Sequence, residues 1–314
     1  MWAVYASLAS IAIGLYYLGN QAAKVSSTVF MVYRGVMPFL FLLPVLPFVS
    51  LPAAWPFYVV CLVQGGVISF VDMRNFRAMR VWGAETISSI HPFCVGIVFF
   101  VWLLLNPGGL IAYGREPLRF LTVAAALGTV IFSVSGYRGD RRGRKALRYM
   151  VPYLLFCAAC DTLNKTAMSF LRPHELVSGS CLYILITAVV ICIVNFSFYF
   201  RGGGKLKALW ERQNVKCALV MVPLVLSMVF KNFAMFATPN PSYVTATMYL
   251  YVIWVFAAGA VLRFFGRNIP ASRISLRRVL LLLAALCAGC AAGTQDSDTP
   301  QDISQWERPA VRDE

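Results

Sequence analysis

Read along the chain, apolar positions do not alternate with polar ones at the spacing of a half-buried strand or an amphipathic surface helix. They run unbroken for about 20 residues at a time and are interrupted by clusters of charge, proline and glycine. Ten such runs fall at about 2–20, 28–49, 55–78, 83–106, 117–136, 148–169, 177–200, 215–238, 241–265 and 275–293. Each is long enough to cross the roughly 30 Å apolar layer of a bilayer as a helix. The pattern therefore predicts an all-α integral membrane protein with ten transmembrane helices. The first run lacks a basic leader and a small-residue cleavage site, and reads as a retained span. From Thr294 onward the character changes: six of the thirteen acidic residues lie there, so a polar tail is expected outside the bilayer.

Composition agrees with this reading. At 59% hydrophobic and 13% charged residues the chain is far from a soluble enzyme, and the same numbers exclude a disordered one. The net charge of +15 would suit a nucleic-acid partner if it formed one patch, but the cations sit between the apolar runs. With ten spans, 20 of the 28 Lys and Arg fall in the odd-numbered loops and five on the other side, leaving Arg34, Lys165 and Lys231 inside spans. The positive-inside rule makes the basic face cytoplasmic and both termini external, and no nucleic acid is needed to explain the charge. The nine cysteines lack metal-ligand spacing and read as small packing residues; no metal or cofactor is expected.

Three pairs of stretches align in the same order. "GNQAAK" in the first span matches "LNKTAM" in the sixth; "MRNFRAM" (Met73 to Met79) matches "FKNFAMF" (Phe230 to Phe236); "ETISSIHPF" in the fourth span matches "YVTATMYLY" in the ninth. They imply a five-plus-five duplication, and an odd number of spans per half makes it an inverted repeat. The expected organisation is residues 1–145 as the first five-helix repeat with a cytoplasmic linker, 146–293 as the second, and 294–314 as the tail.

Two five-helix halves, short loops, "VYRGVMPFLFLLP" in the second span and "PNPSYVTATMYLYVIWVF" in the ninth together resemble the drug/metabolite transporter superfamily, most closely its EamA-like members. The likeness extends to about Gly293. Arg34 falls where such halves commonly carry an arginine, and the Asn/Lys pattern of the first and sixth spans is similar to the sugar-phosphate and nucleotide-sugar branch. The fourth and ninth helices, ending in "LLNPGG" and "RFFGRN", depart from the glutamate common in the family.

An ionisable group inside a span is costly and usually faces a cavity or a partner. The candidates for substrate binding or gating are Arg34, Arg74, Glu85, Ser89, His91, Asp161, Asn164, Lys165, Lys231, Asn232, Tyr243 and Thr247, with Asp72 as a further ionisable group inside a span. Asp161, Asn164 and Lys165 share a helix face, and the plain alternative there is an Asp161–Lys165 pair that makes the helix insertable. Arg74 and Lys231, at equivalent places in the two halves, are expected to converge on a midplane site unless Arg74 simply ends its helix at the cytoplasmic face. His91 before Pro92 could lie where helix carbonyls are freed. Trp2, Trp55, Trp82 and Trp102 are expected as interfacial anchors.

The reading is a secondary transporter of a small polar metabolite, anionic or zwitterionic, working by alternating access in a cytoplasmic (inner) membrane. The expected partners are that substrate, the lipid bilayer and, as an assembly, a homodimer. No phosphate-binding G-x-x-x-x-G-K-[ST] loop exists, so energy would come from a gradient or exchange. A nucleotide-sugar or sugar-phosphate exchanger is the alternative within transport. A membrane-bound acyltransferase-like enzyme is the alternative of another class, although its two histidines, His91 and His174, offer little for a catalytic pair.

Overall fold

A computed structural model describes residues 1–23, 25–82, 90–135, 141–251 and 253–254. Helices follow the apolar runs: α1 (Trp2–Ala23), α2 (Ser27–Leu42) continued by a 3₁₀ turn (Leu43–Phe48), α3 (Trp55–Trp82), α4 (Phe93–Leu105), α5 (Pro107–Arg115), α6 (Pro117–Ser135), α7 (Arg141–Ser169), α8 (Leu176–Arg201), the single turn α9 (Leu206–Leu209), α10 (Arg212–Ala237) and α11 (Pro241–Met248). No strand occurs among the described residues. Six stretches, in α1, α2 with its 3₁₀ turn, α3, α7, α8 with the turn before it, and α10, are long and apolar enough to cross a membrane, and α4 with α5 makes a seventh if the bent pair counts as one. The chain is thus an all-α, multi-pass membrane protein, whose helices satisfy their backbone internally as the lipid core demands.

Several boundaries differ from expectation. Residues 107–115, expected as a loop, form α5, which turns 101° away from α4. Asn106 sits at that corner, and its side chain accepts a hydrogen bond from the Gly109 amide. The expected linker 137–148 is already helical from Arg141, because "RRGRKALR" is rich in good helix formers and simply extends α7. Of the ninth run, Pro241–Met248 and a few residues beyond are described; the rest of it, the tenth run and the tail lie outside the described residues.

The bundle is organised around α8, whose stretch has a mean hydropathy of 2.5 and is the most buried of the six. It packs against α2 on one side and α3 on the other, α1 lies along α10, α3 along α7, and α11 bridges α1 and α4. Small residues permit the closest approaches, as membrane interfaces require. A Cβ on Gly35 would stand 2.7 Å from the Cys192 backbone, and one on Gly65 would stand 2.6 Å from Val190 Cβ. Asn195 Nδ2 donates to the Met31 carbonyl at 2.8 Å, tying α8 to α2.

The helix ends sort into two faces. On one, Tyr33 donates to the Leu209 carbonyl, a recess of about 480 Å³ lies between Val25–Val29 and Gly203–Lys205, and Arg74 reaches Tyr149 in the first half of α7. On the other, the Ser50 amide donates to Ser178 Oγ and Trp102 Nε1 donates to the Pro239 carbonyl. These are the two groupings of loops into which the Lys and Arg counts were divided.

The tryptophans do not all behave as anchors. Trp55 is exposed, but Trp2 is buried at 4% and stacks on Tyr243 at 5.9 Å between centroids, because α11 leans across the start of α1 and covers it. Trp82 packs on the Tyr149 ring.

Candidate functional site

The middle of the bundle holds two ion pairs. In spans that are apolar all round, a charge placed mid-helix must find its partner on a neighbour. In the first pair, Arg34 Nε of α2 lies 2.8 Å from Asp72 Oδ2 of α3. In the second, Lys231 Nζ of α10 donates to Asp161 Oδ1 of α7 at 2.5 Å, and Thr245 Oγ1 of α11 donates to Asp161 Oδ2 at 2.6 Å. Each carboxylate is buried, with side-chain exposures of 6% for Asp72 and 11% for Asp161, whereas each cation remains 25% accessible. The acids are held in the packing and the cations are the more accessible partners. The helices of the two cations, α2 and α10, pack together, as do those of the two acids, α3 and α7, so both pairs lie in one part of the bundle, where Tyr17 of α1 lies near Arg34. Its ring packs on Tyr251 at 4.9 Å, and Tyr16 beside it also feels Arg34.

Below Asp161 on the same face of α7, Asn164 Nδ2 donates to Asn232 Oδ1 at 3.0 Å, and Asn232 Nδ2 donates to the Ser180 carbonyl at 3.4 Å. This amide ladder joins α7, α10 and α8. Lys165 is 2% exposed, and its Nζ donates to the Phe236 carbonyl at 3.4 Å; no carboxylate lies within ion-pair distance of it among the described residues. The expected Asp161–Lys165 pair is therefore not formed. Their spacing permits it, but the tight α7–α10 and α7–α11 packing offers Asp161 a lysine and a hydroxyl instead.

The expected convergence of Arg74 and Lys231 does not occur either. Arg74 donates twice to the Tyr149 carbonyl, at 2.7 and 3.2 Å, and stacks over the Tyr149 ring at 4.3 Å. It ties α3 to α7 about two turns inside both helices, so Arg74 does not end its helix either. His91 is buried at 6%, stacks on Tyr153 of α7, and shares a 3.1 Å hydrogen bond with Asn75 Oδ1 in which the ring N–H donates. Its carbonyl accepts from Tyr249 at 2.7 Å. His174 lies in the turn before α8, and no contact joins it to His91 among the described residues.

Tyr243 and Thr247 are buried. The Tyr243 hydroxyl meets Tyr113 of α5 at 2.5 Å, and Thr247 Oγ1 donates to the Tyr243 carbonyl one turn back. Glu85 and Ser89 lie outside the described residues. Sequence reasoning missed Thr245, Asn75 and Gln64, whose Nε2 donates to the Cys160 carbonyl. Thr245 lies one turn from Pro241 in a run of small polar residues, and only the antiparallel crossing of α11 and α7 distinguishes it from its neighbours. The described cysteines are all free, and no cluster of metal-ligating side chains occurs among the described residues.

No protein-family description matches this chain, and no curated protein matches it in sequence. Among solved structures, one described only as "Crystal structure of protein" covers 98% of this chain and 99% of its own, with a TM-score of 0.56 and 10% identity. At that identity the likeness is one of fold. It runs the length of both chains, as expected if the helical bundle is a single architecture.

Proposed function

We propose that the protein is a secondary transporter of a small polar metabolite, anionic or zwitterionic, working by alternating access between two inverted-repeat halves in a cytoplasmic (inner) membrane. The observation that carries the reading is the pair of mid-bundle cations, Arg34 and Lys231, each a quarter accessible while its carboxylate is buried. Leaving the cation partly open spares some of the desolvation cost that a sealed pair carries, and it also leaves a positive charge that an anionic group can approach. A site that must accept and release an anionic group needs that opening.

The helix pairings support the inverted repeat. Exchanging α1, α2, α3 and α4 with α7, α8, α10 and α11 turns the α1–α10 contact into α7–α3, α4–α7 into α11–α1, and α3–α8 into α10–α2. The α2–α8 and α4–α11 contacts map onto themselves. Tyr249 and His91, which the sequence alignment of the halves makes equivalent, touch each other, as two positions near such an axis must. The ten-span EamA-like architecture accounts for both the exchange and the two faces.

The test is uptake into sealed proteoliposomes of metabolites that raise the melting temperature of the purified protein, since a ligand of the folded state stabilises it by mass action. Wild type should accumulate or exchange at least one such compound, and Lys231→Gln should fold and fail to do so. Failure of every stabilising compound to cross with wild type would overturn the transport reading. Undiminished uptake by Lys231→Gln would remove this site from it.

A further inference from the structure

We propose that Asp161 is an exchangeable counter-ion shared between Lys231 and Lys165, and that the substrate is a monoanion which takes Lys231 as Asp161 turns to Lys165. The inference rests on the transport reading for its substrate, but the exchange itself stands on geometry. Asp161 and Lys165 are at i and i+4 on α7, where side chains of these lengths meet without any movement of the backbone. In the present structure Asp161 instead bonds Lys231 and Thr245, and Lys165 is left fully buried with a backbone carbonyl as its partner. α7 and α11 cross antiparallel, with Asp161 opposite Thr245. Lys165 therefore lies one turn further toward the face of Ser50 and Trp102, level with the start of α11.

The charges give the substrate class. Arg34 and Asp72 cancel. Asp161, Lys165 and Lys231 leave one positive charge among the described residues of the centre. A buried ammonium without an anion is expensive, and a single negative charge brought in at Lys231 cancels it. Asp161 is then free to swing one helical turn, and Lys165 gains its missing partner. Both lysines are paired after binding, and one is unpaired before it. The accessible lysine is the one the ligand must meet, and the sealed one is where the carboxylate can go. Since α7 carries both ends of the exchange and α10 only one, the movement loosens the α7–α10 and α7–α11 contacts that Asp161 now holds together.

The experiment is a melting-temperature cycle in detergent on full-length protein, which needs no known substrate. Lys165→Met should melt at or above wild type, because it removes an uncompensated cation. Lys231→Met should melt only slightly lower, because Asp161 falls back on Lys165. Lys165→Met/Lys231→Met should fall further than the two single shifts added, because it strands Asp161, and adding Asp161→Asn should restore the loss. If the double variant does not accumulate, recovery of folded protein in the triple variant supports the exchange, and failure of the triple overturns it. Additive single shifts, or a strongly destabilised Lys165→Met, would also overturn it and leave Lys165 as a cap on the C-terminal carbonyls of α10.

The charge assignment is read from the same proteins with sodium acetate, sodium lactate, sodium succinate and choline chloride at matched ionic strength. A monocarboxylate should raise the melting temperature of wild type and not that of Lys165→Met, in which Asp161 has nowhere to go. No shift with either monocarboxylate, a larger shift with succinate or choline, or an equal shift in Lys165→Met would overturn the monoanion. A failure of vesicle uptake with the cycle intact would instead count against transport and leave the exchange standing.

Discussion

Gly65 and Gly66 are neighbours in α3, and an alanine scan across them separates tight packing from intrinsic helix preference. A methyl group on Gly66 meets nothing within 4 Å, and the residue is exposed. Gly66→Ala therefore gains helix propensity alone, at most about 1 kcal/mol. A methyl group on Gly65 would stand 2.6 Å from Val190 Cβ, 3.0 Å from Val190 Cγ1 and 3.0 Å from the Thr187 carbonyl oxygen. Carbon atoms pack best at about 3.5–4.0 Å, so α3 and α8 would have to separate by about 1 Å along this contact. The neighbours cannot yield cheaply, because two of the three atoms are a carbonyl and a β-branched Cβ fixed to the backbone. Overpacking of this kind costs about 1–3 kcal/mol. The propensity gain is common to both variants and cancels, so Gly65→Ala should be less stable than Gly66→Ala by about that amount. The assay is reversible unfolding in mixed micelles, or thermal melting, of both variants beside wild type. A Gly65→Ala protein as stable as Gly66→Ala would refute the α3–α8 packing described here.

Three further outcomes are expected. Arg34→Met should be far more damaging than Lys231→Met, by about 3–5 kcal/mol, since Asp72 has no second cation among the described residues; Asp72→Asn should restore it, as unfolding of the three proteins will report. Trp2→Ala should cost about 3–5 kcal/mol as a core deletion, while Trp55→Ala, 72% exposed, should change the melting point little; equal effects would restore Trp2 to the interface. In intact cells a membrane-impermeant maleimide should label Ser50→Cys directly and Lys205→Cys only after permeabilisation, the reverse result inverting the orientation drawn from the basic loops.

Which parts of this were legible in the sequence follows from how local each signal is. The spans of α1, α2, α3, α7, α8 and α10 were legible because about 20 apolar residues in a row mean the same thing in any context. The α4–α5 corner was not, because "NPGG" marks a break without saying that a helix resumes beyond it. Membership of the site was half legible. Arg34, Asp161 and Lys231 stood out because a charge inside a span demands an explanation. Their partners did not, because i,i+4 spacing favoured Lys165 for Asp161, whereas the choice of Lys231 depends on how α7 and α10 cross. Arg74 matched Lys231 in the aligned repeats, yet Arg74 finds the carbonyl and the ring of Tyr149 on α7. Trp2 looked like an anchor only while α11 was not in place above it.

The i,i+4 relation of Asp161 and Lys165 also bears on how the chain is built. Arg34 and Asp72 lie on consecutive helices, so their charges can neutralise one another within a single inserted hairpin. Asp161 and Lys231 are 70 residues apart, with α8 between their helices. At about 5–20 residues per second that separation is roughly 3–14 s of synthesis, during which α7 must enter the bilayer without α10. Throughout that interval the cation available to Asp161 is the one four residues along its own helix. The i,i+4 spacing thus allows α7 to neutralise itself on entering the membrane, whereas in the packed bundle the carboxylate faces Lys231 of α10.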